Sequence, residues 1–292
     1  MRKKTLVLGG DFRQLNMAQA LERESFQIDL SGFDAPYLES IPLPYRNIED
    51  ICWREYEMVV FPLPVSKDEK TLNTPLFHGC ISLQQVFGKL CSDQIVVGGM
   101  FSRSLKKGFS DAGIKVWDYF DREELAVRNA VPTAEGAIAI AMDETPFTIH
   151  GSHCLVAGNG RIGKVLAKML CGIGAQVTVS ARKYEDLAWI EANSYHAIRT
   201  DEIAKSAETF DIIFNTIPHP VINGAVLRNV KKDCLIIDLA SKPGGVDFDC
   251  AKTLGLNTIW ALSLPGAVAP ETAGIIIKDT IMNIRNELGV SE

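Results

Sequence analysis

Within the run HCLVAGNGRIGKVLAKMLCGIGAQVTVSARK (residues 153–183), three glycines stand at the spacing Gly158-x-Gly160-x-x-Gly163. Alone, that spacing is a weak signal. Here it follows the apolar run CLVA, opens a helix-compatible stretch and leads to a second strand-like run, QVTVS. That is the βαβ setting a diphosphate cradle needs. Gly158 allows a tight turn, Gly160 lets backbone N–H groups approach a diphosphate, and Gly163 permits close packing of helix on strand. Asn159, Arg161 and Ile162 complete the turn and the first helical residues, where unpaired N–H donors carry partial positive charge. Dinucleotide binding is the chemistry expected.

About twenty residues beyond such a turn, a carboxylate usually meets the ribose hydroxyls of NAD. This chain instead presents Ser180, followed by Arg182 and Lys183. A carboxylate there would repel a 2′-phosphate, whereas a hydroxyl and two cations would bind it through charge-assisted hydrogen bonds. The site therefore reads as NADP-selective. The competing reading makes both cations solvated residues that open the next helix.

Three further loops follow strands at their carboxyl ends, where ligands bind in open α/β sheets. FNTIPHPVI carries Asn215, Thr216, Pro218 and His219; IIDLASKPGGVD carries Ser241, Lys242 and the pair Gly244-Gly245; LSLPGAVAPETAG carries Gly266, Glu271 and Thr272. Thr216 and Pro218 are expected to border the cofactor. His219, between two prolines, reads more readily as a rigid-turn residue. Nearer the start, Gly9-Gly10 precedes Asp11, Arg13 and Gln14, and Gly98-Gly99 precedes Ser102, Arg103 and Ser104. Two strand-end glycine pairs, each followed by an arginine, suit an anionic substrate; ordinary turns with exposed arginines weigh about equally.

Short apolar runs alternating with helical patterns must position these residues, which is the signature of parallel α/β architecture. The expected strands are Thr5–Leu8, Met58–Pro62, Ile95–Val97 and Lys115–Trp117. A second series comprises Cys154–Ala157, Gln176–Ser180, Ile212–Thr216, Leu235–Leu239 and Thr258–Ala261. DAPYLESIPLPY reads as an irregular loop. A helix is expected from Pro132 to about Asp143, and a closing amphipathic helix from Pro270 places Ile277, Ile281, Ile284 and Leu288 on one face. The fold class expected is α/β: two Rossmann-like, doubly wound parallel-sheet domains with a cleft between them. Residues 1–147, completed by the helix 270–292, form a substrate and subunit domain; residues 148–269 form the NADP-binding domain.

Bulk properties fit a cytoplasmic enzyme. A length of 292 residues suits two domains, and a net charge of −6 argues against a nucleic-acid partner. No apolar run is long enough to span a membrane. Seven scattered cysteines without a C-x-x-C pair read as reduced, mostly buried thiols. His150, His153 and Cys154 do not match a zinc spacing, and no metal is expected.

Taken together, GGDFRQ, NAVPTAEGAIAIAM, GNGRIGKVLAKMLCGIGAQVTVSAR, FNTIP, DLASKPGGVDF and LPGAVAPETAG resemble the dipicolinate synthase A-subunit family of spore-forming bacteria. The likeness covers essentially the whole chain. In layout it is also similar to 2-hydroxyacid dehydrogenases and alanine dehydrogenase. Hydroxyacid dehydrogenases carry N-x-A-R-G-x-x-x-D where this chain has DLASKPGGVD, and their later catalytic histidine has no counterpart in LSLPGAVAP. Their histidine-based mechanism is therefore not expected.

The resemblance implies oxidation of a dihydro- or tetrahydrodipicolinate intermediate, branching from the lysine pathway, to dipicolinate during sporulation in the mother cell. NADP is the implied cofactor, and a flavoprotein-like B subunit the implied partner. Loop position, rather than the family, suggests that Arg13 and Arg103, with Ser102, grip a small dicarboxylate substrate, and that Lys242 or Glu271 handles the proton. The alternatives are an NADP-dependent amino-acid or hydroxyacid dehydrogenase and a nucleotide-binding scaffold or sensor subunit. A homo-oligomer is left open.

Overall fold

A computed structural model describes residues 4–290 of the chain, which divide into two compact units. Among the described residues, unit 1 comprises 4–128 and 269–290, and unit 2 comprises Asn129–Val268.

Unit 1 contains β1 (Lys4–Leu8), α1 (Phe12–Arg23), β2 (Gln27–Ser31), α2 (Ala35–Leu38), β3 (Met58–Val60), α3 (Leu83–Phe87), β4 (Ile95–Gly98), α4 (Arg103–Asp111) and β5 (Val116–Asp118). The five strands form a parallel sheet in the order β2-β1-β3-β4-β5. Alternation decides which face each residue serves. Val7, Val60 and Val97 enter one apolar cluster, while Leu6, Leu8, Val59, Phe61 and Val96 enter the other. Both faces are covered, as parallel sheets require.

Next comes α5 (Glu123–Glu144), which starts nine residues earlier than the Pro132 expected as its N-terminus and carries Pro132 inside. Proline lacks the N–H that residue i−4 would accept. For Pro132 that residue is Arg128, and the division between units falls directly after it. Ala134, Ala137, Ile138 and Ala141 sit in the core of unit 2. Burial of this face places the second half of α5 with unit 2, ahead of the boundary expected at residue 147.

Unit 2 continues with β6 (His153–Ala157), α6 (Arg161–Ile173), β7 (Gln176–Ala181), α7 (Tyr184–Ala192), β8 (His196–Arg199), α8 (Ile203–Ser206), β9 (Ile212–Asn215), α9 (Gly224–Leu227), β10 (Leu235–Asp238), α10 (Phe248–Leu254), β11 (Asn257–Trp260) and α11 (Leu264–Val268). Its parallel sheet has the order β11-β10-β9-β6-β7-β8. Strand order reverses between β6 and β9, which makes that point the expected ligand crevice of a doubly wound sheet.

The chain ends with α12 (Pro270–Glu287) in unit 1, where Ile276, Ile277, Ile281 and Ile284 are buried. At Gly274 a Cβ would lie 2.7 Å from the Arg13 carbonyl oxygen, so α12 approaches α1 closely. Within DAPYLESIPLPY, the four residues of α2 are helical, with proline in the first turn.

The cysteines are less buried than expected. Cys154 and Cys234, in or beside central strands, are enclosed, whereas Cys52, Cys80 and Cys171 lie on loops or an outer helix face and are exposed. Burial pushes the Cys154 thiol up to about 11 and that of Cys234 up to about 12. Among the described residues no helix is long and apolar enough to cross a membrane.

Candidate nucleotide-binding site

The turn after β6 is shaped by two near-contacts. Gly158 has φ +104°, and a Cβ there would lie 2.5 Å from Thr216 Oγ1. At Gly163 a Cβ would lie 2.0 Å from the Gly158 carbonyl oxygen. Only glycine fits either position. Gly160 differs: its backbone is extended, and a Cβ there would meet nothing within 4 Å. It is also the N-cap residue of α6 and brings no side-chain cap. No N-cap side chain therefore serves the first-turn N–H groups of this 13-residue helix. This arrangement fits the diphosphate of a dinucleotide.

The strand-order reversal brings Thr216 to this turn. Its hydroxyl and its backbone N–H both donate to the Ala157 carbonyl, at 2.8 and 2.9 Å. Pro218 is exposed two residues further along, while Asn159 and Ile162 are half-buried and Arg161 is exposed. The glycine turn, Thr216 and Pro218 thus lie on adjacent loops.

Ser180 requires a correction. It is fully buried, and its hydroxyl accepts a 3.4 Å hydrogen bond from Thr200. A side chain turned into the sheet cannot meet a phosphate, so the hydroxyl is removed from the expected set. Arg182 and Lys183 follow the end of β7 and are exposed. Lys183 pairs with Glu185 at 3.0 Å, and that contact holds its ammonium pKa above the ordinary value. Arg182 makes no hydrogen bond or ion pair among the described residues.

The loop carrying Lys242 is organised by a buried carboxylate that sequence reasoning missed. Asp238, fully buried at the end of β10, accepts from Asn215 Nδ2 at 2.8 Å, Ala240 N at 3.0 Å, Gly245 N at 2.8 Å and Val246 N at 3.2 Å. Asn215 Nδ2 also donates to the Ile217 carbonyl at 3.0 Å. The two side chains fix the loops after β9 and β10 as one network. Trp260 Nε1 donates to the Ala240 carbonyl at 3.0 Å and braces the same loop. Lys242 itself is exposed and hydrogen-bonds to nothing among the described residues.

In unit 1 the expected carboxylate grips differ from each other. Arg13 is corrected: its side chain is only 14% exposed, and it forms a two-pronged ion pair with Asp11, with bonds of 2.7 to 3.1 Å, while Nη2 also reaches the Leu63 carbonyl at 3.0 Å. A guanidinium held this way, enclosed by the chain and bonded as well to the Leu63 carbonyl, has its carboxylate and little access to another. Arg103 stays exposed in the first turn of α4. Ser102 is the N-cap of that helix, accepting from Leu105 N at 3.2 Å and lying 2.9 Å from the Ser104 hydroxyl. Asp118 fixes the turn before it by accepting from Met100 N at 3.0 Å and Phe101 N at 2.9 Å. Glu271 is exposed in the first turn of α12.

An acid–base pair also escaped the sequence. Asp34 accepts from the His78 backbone N–H at 2.9 Å, and the His78 ring Nδ1 lies against the same carboxylate. His78 holds the Asp34 carboxyl below its ordinary range. The partners are 44 residues apart, so no local spacing signals them.

Residues 4–120 match the family of the dipicolinate synthase A-subunit N-terminal domain, and residues 139–258 match shikimate / quinate 5-dehydrogenase. Over 99% of its length the chain is 33% identical to the dipicolinate synthase A-subunit of Bacillus subtilis (strain 168), covering 98% of that protein. The chain belongs to the dipicolinate synthase A-subunit family. The crystal structure of the dipicolinate synthase A-subunit from Bacillus halodurans superposes with a TM-score of 0.89 at 31% identity, covering 97% of each chain. An L-alanine dehydrogenase structure, at 14% identity and a TM-score of 0.64, covers 98% of this chain and 90% of its own. That likeness shows the fold alone: two Rossmann-like parallel sheets of the dehydrogenase kind. Membership of the dipicolinate synthase A-subunit family and a dehydrogenase fold agree with the resemblance carried by the sequence motifs.

Proposed function

We propose that this chain is an NADP-dependent oxidoreductase that oxidises a dihydro- or tetrahydrodipicolinate intermediate to dipicolinate, working with a flavoprotein-like B subunit in the mother cell of a sporulating bacterium. The observation carrying this reading is the turn at Gly160: it brings no side-chain cap to α6, has no atom within 4 Å of where a Cβ would stand, and is followed at the end of β7 by two exposed cations. The family name and the dehydrogenase fold support the same conclusion.

As a dihydro ring becomes aromatic it loses one hydride and one proton; NADP⁺, when bound, accepts the hydride. This chain must hold the ring and receive the proton. Arg103 offers a guanidinium to a ring carboxylate; the Ser102 hydroxyl already caps its helix and bonds Glu69, and Arg13 can join only by releasing Asp11. Glu271, exposed in the first turn of α12, offers a carboxylate as base; Lys242 stands on a loop fixed by Asp238, and its ammonium suits a carboxylate. His78, oriented by Asp34, is a second candidate for the base.

The test measures NADPH formation with dihydrodipicolinate and with a panel of amino and hydroxy acids, each with and without the B subunit. Turnover of dihydrodipicolinate supports the proposal. Turnover of the panel alone rejects it in favour of an amino-acid or hydroxyacid dehydrogenase. Tight NADP binding without oxidation of any substrate, even with the partner, establishes a nucleotide-binding scaffold. The self-paired Arg13 and uncovered Lys242 are the observations that favour this second reading.

A further inference from the structure

The carboxyl ends of β7 and β8 lie side by side, with Ala181 paired to Arg199. Arg199 therefore emerges beside Arg182 and Lys183, although seventeen residues separate it from Arg182 in sequence. Its guanidinium carbon lies 5.4 Å from the ring centroid of Tyr184, the first residue of α7, and that tyrosine is 76% exposed. Asp201 accepts from Nε and from Nη2 at 3.0 Å each, which leaves Nη1 with no hydrogen-bond partner among the described residues. The tyrosine face and the aspartate together fix the plane of the guanidinium, so little rotamer freedom is lost when it binds an anion. The next residue, Thr200, is the one that turns the Ser180 hydroxyl inward.

We propose that Arg199, in place of Ser180, completes the recognition of the 2′-phosphate with Arg182. This rests on reading the Gly158 turn as an NADP site, and it names the residue that selects the phosphorylated ribose. A phosphate monoester accepts several hydrogen bonds at once and favours planar donor pairs. Arg182 supplies one guanidinium and the free Nη1 edge of Arg199 the second. Lys183 ranks below both, because its ammonium is paired with Glu185. Arg199 ranks below Arg182, because Asp201 already offsets part of its charge.

The experiment is calorimetry on the full chain with 2′,5′-ADP and with 5′-ADP, fragments that differ only in the 2′-phosphate. Wild type is expected to prefer 2′,5′-ADP. Arg199→Ala is expected to weaken 2′,5′-ADP about tenfold and to leave 5′-ADP within about twofold, with Arg199→Lys in between. Retained 5′-ADP binding shows that the variant is folded. Unchanged 2′,5′-ADP affinity, or equal losses for both fragments, overturns the assignment. If Arg182→Ala abolishes the preference and Arg199→Ala does not, the assignment of Arg199 fails while the NADP reading stands. Absence of any preference in wild type overturns both.

Discussion

In unit 1 the glycine turn after β1 closes on the chain itself. Gly9 N and Gly10 N donate to the Ser31 and Asn73 carbonyls at 2.8 and 3.0 Å, and Asp11 caps α1 through Arg13 N while pairing with the Arg13 guanidinium. In unit 2 the turn after β6 leaves α6 uncapped at Gly160, with open space where a side chain would stand. Both turns follow the first strand of a parallel sheet and both read as glycine-rich. The difference lies in whether the first helical N–H groups are served by the chain's own carboxylate. A glycine pair after a strand is therefore not in itself an anion site; an uncapped helix terminus beside it is what leaves donors for a ligand.

Substitutions can break this contrast, and the largest effect is expected at Gly163. A Cβ there would sit 2.0 Å from a backbone oxygen, so Gly163→Ala should destabilise unit 2 by about 3 kcal/mol or prevent its folding, read by urea denaturation. Next, Asp238→Asn should cost about 2–3 kcal/mol, because an amide cannot accept from all four donors and leaves buried N–H groups unmet. Dipicolinate affinity measured on the folded fraction then tells whether the Lys242 loop is set by this network. Arg182→Ala should weaken NADP by roughly tenfold or more while sparing NAD, and Lys183→Ala should do less, measured by nucleotide titration. Equal losses for NADP and NAD would show that neither cation reads the phosphate.

The smallest effect is expected in the closed turn. Asp11→Asn keeps a competent N-cap and removes only a partly exposed charge pair, so stability should fall by no more than about 1 kcal/mol. A gain in dipicolinate affinity in this variant would return Arg13 to the substrate site and narrow the contrast between the two turns.

What could be read beforehand follows from how far apart the interacting residues lie. The spacing of Gly158, Gly160 and Gly163 and the runs that flank them are local, and they announced the turn. Nine strands were legible because they are apolar runs, whereas β2 and β8 were not. In QIDLS, Asp29 breaks the apolar pattern, and it is accommodated by Tyr56, whose hydroxyl donates to it at 2.6 Å from 27 residues away. In HAIR, an edge position leaves the strand only half-buried, so polar and charged residues occur within it. The inward turn of Ser180 depends on Thr200, the Asp238 network on Asn215, and the Asp34 pair on His78. Each joins residues that only the folded sheet brings together. The pairing of Asp11 with Arg13 is within local reach, but the glycine pair before Arg13 points its guanidinium to a substrate carboxylate rather than to Asp11.

The most direct measurement concerns Gly160, where the protein leaves room for a side chain and a dinucleotide does not. Gly160→Val should unfold at the same urea concentration as wild type, since its backbone is extended and no atom lies within 4 Å of the new Cβ. Calorimetry should then show that NADP binding is abolished. A variant that binds NADP as wild type does would contradict the assignment of this turn as the diphosphate cradle.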